Sequence, residues 1–537
     1  MKGINEILSD SSKFQRLESD PTLKREQSLQ RFLRKLKSVT FFNDDMLYAN
    51  VYPRGSKPAR IYGLPKLHKP FTSIPSLRPI ISSCSTYNYE LARFLSGLLS
   101  PHIPHDHSTR DSFSFANDIK QVSSSGKIMV SFDVCSLFTN IPLHETIDIA
   151  VNLILENNPR FTITKVQLRK LFLFATAQTH FLFDTNIYDQ IDGVAMGSPL
   201  GPVLANLFMG VNEREWLSEY SGSKPCFYRR YVDDVFCLFK SVCDVKPFLE
   251  YLNSRHPSIK FTVEYETDRK LPFLDVLVDG INGDCFTTSI YRKVTFTGLL
   301  TNFNSFCSNS YKIGLIKTLI DRVFKINSSW SGFHSDLEKT TIILAKNQFP
   351  ESLISKYVKS YLHNKFESKT NPCDKLSAGE RTRYYKLPYI GFVSNLTNQK
   401  IRNIVSKYCV GIDVKLIFVS FKSGSYFSLK DPLPKCLQSG VIYKFVCAGC
   451  NACYIGESSR HLKTRIDEHL GKDKSSHIYK HLQASDDCKR QCSDLCFSVL
   501  DEAPTDFQRK LKEAMFIQWL KPNLNAQLNH LALTLSI

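Results

Sequence analysis

Apolar residues recur at helical spacing through the first fifty positions: Ile7, Leu8, Phe14 and Leu17, then Leu29, Phe32, Leu33 and Leu36. That period, interleaved with Lys and Arg, predicts basic amphipathic helices over 1–50. Residues 51–125 break the pattern with Pro, Gly and Ser, as in RIYGLPKLHKP, and read as turns and short extended pieces. KIMVSFDVCSLFTNIP then predicts an apolar strand that ends in a carboxylate. A long helical stretch is expected from about Leu143 to Thr179, and DGVAMGSPLGPVLANLFMGV reads as a loop entering a helix. In RRYVDDVFCLF two apolar, aromatic runs flank a carboxylate pair, the pattern of strand, turn and strand. LPFLDVLVDG and SIYRKVTFTG predict a further hairpin, and 300–365 is helical again. Residues 366–435 mix Ser, Asn, Lys and Pro, as a connector with a few short strands would, and a compact Cys-rich unit runs from about Pro432 to about residue 530. There is no internal repeat.

Composition narrows the class. A chain of 537 residues has room for roughly three domains. With 42% hydrophobic and 12% aromatic residues, wholesale disorder is excluded. No run reaches the ~18 consecutive apolar residues of a membrane span. The start, MKGINEILSDSSKF, has no apolar core after a basic end, so a soluble intracellular protein without membrane contact is expected. Lys and Arg number 69 against 51 Asp and Glu, a net charge of +18. Such a balance points to a polyanion, with nucleic acid first; a basic surface serving solubility is the plainer alternative. Of the 16 cysteines, seven fall between Cys436 and Cys496. Without secretion a disulfide framework is not expected, and that local density suggests a small metal-stabilised module.

The sharpest chemical pattern is two acidic positions about a hundred residues apart: Asp133, and the pair Asp233–Asp234 in Tyr231-Val232-Asp233-Asp234. Nucleotidyl transfer uses two Mg²⁺ ions about 4 Å apart that clamp the attacking and leaving oxygens. Mg²⁺ takes oxygen ligands and keeps several waters, so two or three carboxylates suffice. Taken alone, the YVDD motif reads first as a solvated turn.

It does not stand alone. YGLPKLHKP (Tyr62–Pro70), LRPIISS (Leu77–Ser83), SFDVCSLFTNIP, YDQIDGVAMGSPLGPVLANLFM, YRRYVDDVFCLF, and LPFLD with YRKVTFTG follow one another along the chain. This series resembles the reverse transcriptases, most closely those of Penelope-like retroelements. The resemblance implies an α+β multidomain protein: a right-hand polymerase with fingers and palm over 51–300, a thumb-like helical region over 301–365 and a connector over 366–435. It implies that Asp133 and Asp234 hold two Mg²⁺ ions, with Asp233 a weaker ligand, and that Arg78 reaches the triphosphate of an incoming deoxynucleotide. Lys66 and Lys69 become candidates for template or phosphate contact; solvated loop cations are the plainer reading. Gln190, three before Gly193, fits the family's Gln-x-x-Gly pattern, against a polar cap on the loop. Gly197 is expected to give close backbone approach to the template–nucleotide pair. Phe138, five after Asp133, fits a steric gate against a 2′-hydroxyl, against a plain core Phe. One departure is Gly201, where many relatives have Ser.

Near the C-terminus Val441-Ile442-Tyr443 precedes Tyr454-Ile455-Gly456, followed by Arg465, His469, Glu513 and Pro522-Asn523-Leu524-Asn525. This resembles the GIY-YIG endonucleases, small α/β domains, over 436–530; Val441 stands where the family has Gly. Arg465 and His469 are four apart and share a helical face. The resemblance implies one divalent metal on Glu513, water activated or aligned by Tyr443 or Tyr454, charge stabilised by Arg465, and a polar role for Asn525, with Asn523 as fallback. Cys447 and Cys450 form a Cys-x-x-Cys knuckle that binds Zn²⁺ when two more ligands arrive. The resemblance to Penelope-like nucleases, which carry a CCHH-like set, implies His481 at one later position and Cys488 where a second His is expected, while His477, Cys453, Cys492 and Cys496 compete.

The expected function is therefore an RNA-directed DNA polymerase of a retroelement, coupled to an endonuclease that nicks DNA to provide a primer. Its partners would be an RNA template, a DNA primer or target and deoxynucleoside triphosphates, and its place the nucleus, inferred from the substrate. Two alternatives stay open: a telomerase-like or intron-type reverse transcriptase, and a truncated or domesticated copy that only binds nucleic acid.

Overall fold

The computed structural model describes residues 2–37, 44–66, 75–281, 284–366, 381–409, 412–422 and 433–525. Lys69 lies outside them. The chain divides into two units, one made of Met1–Pro104, Ser136–Glu213 and Asp431–Ile537, the other of His105–Cys135 and Arg214–Lys430.

The first unit carries a five-stranded sheet in the order Phe14–Leu17, Asn186–Gln190, Thr179–Phe183, Ala59–Pro65, Leu77–Ser82. Only Ala59–Pro65 and Thr179–Phe183 run parallel. The helices Thr22–Leu36, Tyr89–Leu99, Leu143–Asn157 and Lys165–Thr176 bury Leu29, Leu33, Leu91, Leu95, Ile147, Val151, Leu168 and Leu171 in one core. Two sequence expectations change here. Phe14 and Leu17, read as helical, belong to a strand paired with Asn186–Gln190; Phe14 packs edge-on to Phe181, and that tertiary pairing outweighs local periodicity. The long helix over 143–179 is two helices, because Asn158 and Pro159 fall between them and Pro cannot sit in a helix interior. Thr164 restarts the chain with a capping box to Gln167.

The C-terminal residues of this unit form a three-stranded antiparallel sheet with Val441–Val446 between Cys453–Ser458 and Phe497–Glu502. Leu462–Asp467 runs into a π-helical turn, Glu468–Lys472, and Asp506–Leu520 closes the module.

The second unit is built on a four-stranded antiparallel sheet in the order Phe227–Tyr231, Asp234–Phe239, Ile128–Val134, Phe261–Tyr265. The central strand Asp234–Phe239 is apolar after its first residue. Phe115, Phe236, Leu238 and Phe273 form the core beneath it. The further hairpin expected after it is a three-stranded meander, Lys270–Phe273, Val276–Asp279 and Thr287–Ile290. Three helices follow, Asn309–Ile326, Trp330–Lys346 and Glu351–Phe366, the first two opened by the side-chain caps Ser308 and Ser329. The connector holds more order than its composition suggested: Arg381–Pro388 and Ile412–Val419 pair in parallel with the helix Phe392–Tyr408 between them in sequence.

Candidate active sites

In the second unit the register of the sheet builds the acidic cluster. Asp133 is the direct cross-strand partner of Asp234. Directly opposed residues of an antiparallel pair leave the same face with Cβ atoms about 5 Å apart. Val232 and Asp233 form the two-residue turn between Phe227–Tyr231 and Asp234–Phe239, and Val134 N–H donates to the Asp233 carbonyl at 2.9 Å. All three carboxylates thus gather at one end of the sheet, where Asp234 is exposed and Asp133 and Asp233 half-buried. Like charges directly opposed destabilise a sheet. Hard oxygen donors so arranged suit Mg²⁺.

The turn is held from below by a residue the sequence reading passed over. Val232 has φ 56°, a left-handed conformation that is costly for a β-branched residue, about 1–3 kcal/mol. Arg230, only 1% exposed, donates from Nη1 to the Val232 carbonyl at 3.0 Å. Its own backbone is fixed by Arg230 N–H to His107 O and Thr109 N–H to Arg230 O, both 2.8 Å. The signal was present: in Phe227–Tyr231 the buried positions are Tyr228 and Arg230, so an Arg falls on the inward alternation of an apolar strand.

In the first unit Arg78 lies exposed on the edge strand Leu77–Ser82, opposite Leu64. Lys66 is half-buried, and its N–H donates to Ser76 O at 2.8 Å. Gln190 is buried and donates to the Asp192 carbonyl at 3.0 Å, the loop-capping reading. Phe138 is half-buried, and its carbonyl accepts from Val194 N–H at 2.7 Å. Gly197, at φ 119°, makes its close approach to the strand Leu77–Ser82: a Cβ would overlap the Ile81 carbonyl, and Ile81 N–H donates to Met196 O at 2.7 Å. The glycine is therefore required by protein packing.

In the C-terminal module five expected residues converge. Tyr443, fully buried on the middle strand, meets His469 Nε2 through its hydroxyl at 2.7 Å and receives Arg465 Nε–H at 3.3 Å. Gly456 is its cross-strand partner, and a Cβ there would come within 2.5 Å of the Tyr443 hydroxyl; the glycine makes room for the phenol. The Tyr454 ring lies 6.4 Å from Tyr443 and 5.8 Å from His469. Burial pushes both phenols above their ordinary pKa, with the Glu513 charge adding to it at Tyr454. Neither is a phenolate at neutral pH. Burial, then the Arg465 charge, pushes His469 down to about 3, so its imidazole is neutral. Ser476, a residue absent from the sequence reading, bonds His469 Nδ1 through its hydroxyl. Glu513 accepts Glu457 N–H at 3.1 Å, and burial followed by the neighbouring Glu457 charge raises it to about 7. A half-buried carboxylate beside a second one is a donor set that a divalent cation fits.

Asn525 does not join this group. Its side chain clamps both backbone groups of Ile455, at 2.9 and 2.8 Å, and Asn523 holds Cys453 N–H at 2.6 Å. Both fix the strand that carries Tyr454. Cys447, Cys450, His481 and Cys488 have their ligand atoms within 4.8 Å of one another, which suits tetrahedral Zn²⁺ with bonds of about 2.3 Å to sulfur. His477 and Cys453, Cys492 and Cys496 fall outside that set. The module also contacts the N-terminal layer of its unit: His461 Nε2 bonds the Ser56 carbonyl at 2.7 Å, and Ser439 donates to Gly55 O at 2.6 Å.

Among known proteins, residues 67–266 match the family described as "Reverse transcriptase (RNA-dependent DNA polymerase)". Residues 299–359, read from the sequence only as thumb-like helices, match "Animal helix-turn-helix domain". No curated protein matches the chain. Similar solved structures include a telomerase from Candida albicans with a fragment of telomeric RNA, at 12% identity and TM-score 0.38, covering 62% of this chain and 57% of that one. A truncated apo telomerase from Candida tropicalis has 10% identity and TM-score 0.35, with 52% and 57% covered. The BmCPV RNA-dependent RNA polymerase at elongation has 13% identity and TM-score 0.32, with 60% and 29% covered. The chain spans 57% and 58% of the first two telomerases. It carries a reverse transcriptase domain over residues 67–266 and an animal helix-turn-helix domain over residues 299–359.

Proposed function

We propose that this chain is the replicative protein of a Penelope-like retroelement: an RNA-directed DNA polymerase joined to a GIY-YIG endonuclease that nicks DNA to supply the primer. The observation that carries the polymerase half is the cross-strand pair Asp133–Asp234, with Asp233 in the adjoining turn, inside a matched reverse transcriptase domain. Asp133 and Asp234 would hold two Mg²⁺ ions, which supply charge neutralisation at the attacking and leaving oxygens. Arg230 keeps the turn in place, and Arg78 offers a fork of donors to a triphosphate. The primer 3′-hydroxyl gives its proton to solvent as its oxygen bonds the α-phosphorus of the deoxynucleotide, and the bond from that phosphorus to the leaving pyrophosphate breaks. Phe138 is the residue to test for sugar selection, and Lys66 for phosphate contact.

For the nuclease half, the neutral His469 orients the buried Tyr443 hydroxyl, and the half-buried Tyr454 aligns the attacking water. That water gives its proton to solvent as its oxygen bonds phosphorus, the bond to the 3′-oxygen breaks, and that oxygen takes a proton from solvent. Arg465 faces the charge that builds on the phosphate oxygens. Glu513 would hold one divalent ion that polarises the phosphate. Zn²⁺ on Cys447, Cys450, His481 and Cys488 would be structural. Acting on chromosomal DNA, the protein works in the nucleus.

The test is a supercoiled plasmid incubated with Mg²⁺, labelled deoxynucleotides and an RNA template. The proposal expects nicked circles that carry label at the nick. Nicking without RNA-dependent label separates the two halves and defeats the coupling.

A further inference from the structure

The three helices Asn309–Ile326, Trp330–Lys346 and Glu351–Phe366 have a core of Ile316, Ile320, Leu344, Phe349 and Ile354. At one side, reached through Tyr361, which packs on that core, five aromatic rings gather: Phe324, Trp330, Phe333, Tyr361 and Phe366. Phe324 stands edge-on to the other four, with centroids 6.5, 6.0, 5.7 and 6.2 Å away in that order. Trp330 in turn lies 5.5 Å from Phe333 and 5.8 Å from Phe366. Phe333 is buried and anchors the group, yet Trp330 is 63% and Phe366 52% exposed. The rings are thus rigidly seated with two faces offered to solvent. Ser329 fixes the start of the Trp330 helix by accepting Gly332 N–H at 3.1 Å. Tyr361 is tied by its hydroxyl to Asp321 at 2.8 Å.

Charge selects the partner. Residues 309–366 hold nine Lys and Arg against four Asp and Glu, and Lys365 Nζ sits 5.5 Å from the Phe324 centroid and 5.7 Å from that of Tyr361. Interfaces between proteins are depleted of Lys at their apolar centres. Rigid aromatic faces edged by cations are the chemistry that binds single-stranded nucleic acid: bases stack on rings and phosphates meet the cations. A duplex keeps its base faces covered and is read by polar side chains at base edges.

We propose that Trp330 and Phe366 form a stacking ledge for unpaired bases of a single-stranded nucleic acid, with Lys365 at its phosphates. The inference rests on the polymerase reading above, for which such a strand would be the template beyond the copied duplex. The test is binding of fluorescein-labelled oligouridylate, oligothymidylate and a mixed-sequence duplex to the full chain and to Trp330→Ala, Phe366→Ala and Trp330→Phe. Trp330→Ala is expected to weaken single-strand binding about 5- to 100-fold, with duplex binding unchanged and Trp330→Phe close to wild type. Single strands should also quench the tryptophan emission of the wild type more than that of Trp330→Ala. The uridylate and thymidylate arms tell which strand is preferred. Equal binding by both alanine variants, an equal loss on duplex, or a wild-type dimer that Trp330→Ala makes monomeric would each overturn the ledge. If Trp330-dependent single-strand binding persists in a wild type that extends no primer, the ledge stands and the polymerase reading fails.

Discussion

In the four-stranded sheet the acidic groups meet because strand register sets Asp133 opposite Asp234 at a solvent-facing end. In the C-terminal module the polar groups meet inside the fold, with Tyr443 and His469 buried and joined by a hydrogen bond of 2.7 Å. The first arrangement keeps its carboxylates exposed or half-buried. The second spends burial on setting protonation: a neutral imidazole, two neutral phenols, and a carboxylate raised to about 7. The same chain therefore gathers polar groups in two ways, carboxylates at a sheet end and a desolvated hydrogen-bonded cluster inside the fold.

The comparison can be broken at several points. The largest effect falls on the zinc set. Stripping the metal, or Cys447→Ser, should unfold the C-terminal module and abolish nicking, since structural Zn²⁺ contributes on the order of 10 kcal/mol. Primer extension should survive, and one zinc per chain should be released to a colorimetric chelator. Next, Arg465→Ala should slow nicking about 100- to 1000-fold, as loss of a donor to developing charge does, with extension untouched. Smaller again is Arg230→Met. The carboxylates remain but their turn loses its support, so kcat for extension should fall roughly tenfold to a hundredfold with KM little changed. The smallest effect is on acid stability. His469 titrates at about 3 in the fold against 6.5 ordinarily, so the unfolded chain binds the proton first. Stability from the neutral ring is full above 6.5 and is lost as pH falls toward 3. Hydrogen exchange in Val441–Val446 should show a loss of roughly 2 kcal/mol between about pH 7 and about pH 5, absent in His469→Gln.

Much of this was legible in the chain. The YVDD hairpin and the strand ending at Asp133 were readable because period-2 patterning and an acidic turn are local signals. Cys447 and Cys450 were readable as a pair from their spacing, and His481 and Cys488, which the family resemblance implied, lie beside them. What escaped depends on tertiary partners. Phe14–Leu17 looks helical until Asn186–Gln190 pairs with it. Gly197 looked like a ligand-facing glycine, and only the Ile81 carbonyl reveals its packing role. Arg230 and Ser476 act through neighbours whose arrangement no spacing rule gives. Asn525 was expected among the reactive groups; it is a backbone clamp on Ile455.

The register pair Asp133–Asp234 is proposed to perform RNA-templated DNA synthesis. The direct measurement is extension of a DNA primer annealed to RNA, with Mg²⁺ and deoxynucleotides, by wild type and by Asp234→Ala. The account predicts full-length DNA from the wild type and a loss of at least about a thousandfold in the variant, with nicking by the same preparation unchanged. Extension by Asp234→Ala at the wild-type rate, or none by a wild type that still binds nucleic acid in a salt-sensitive way, would contradict it.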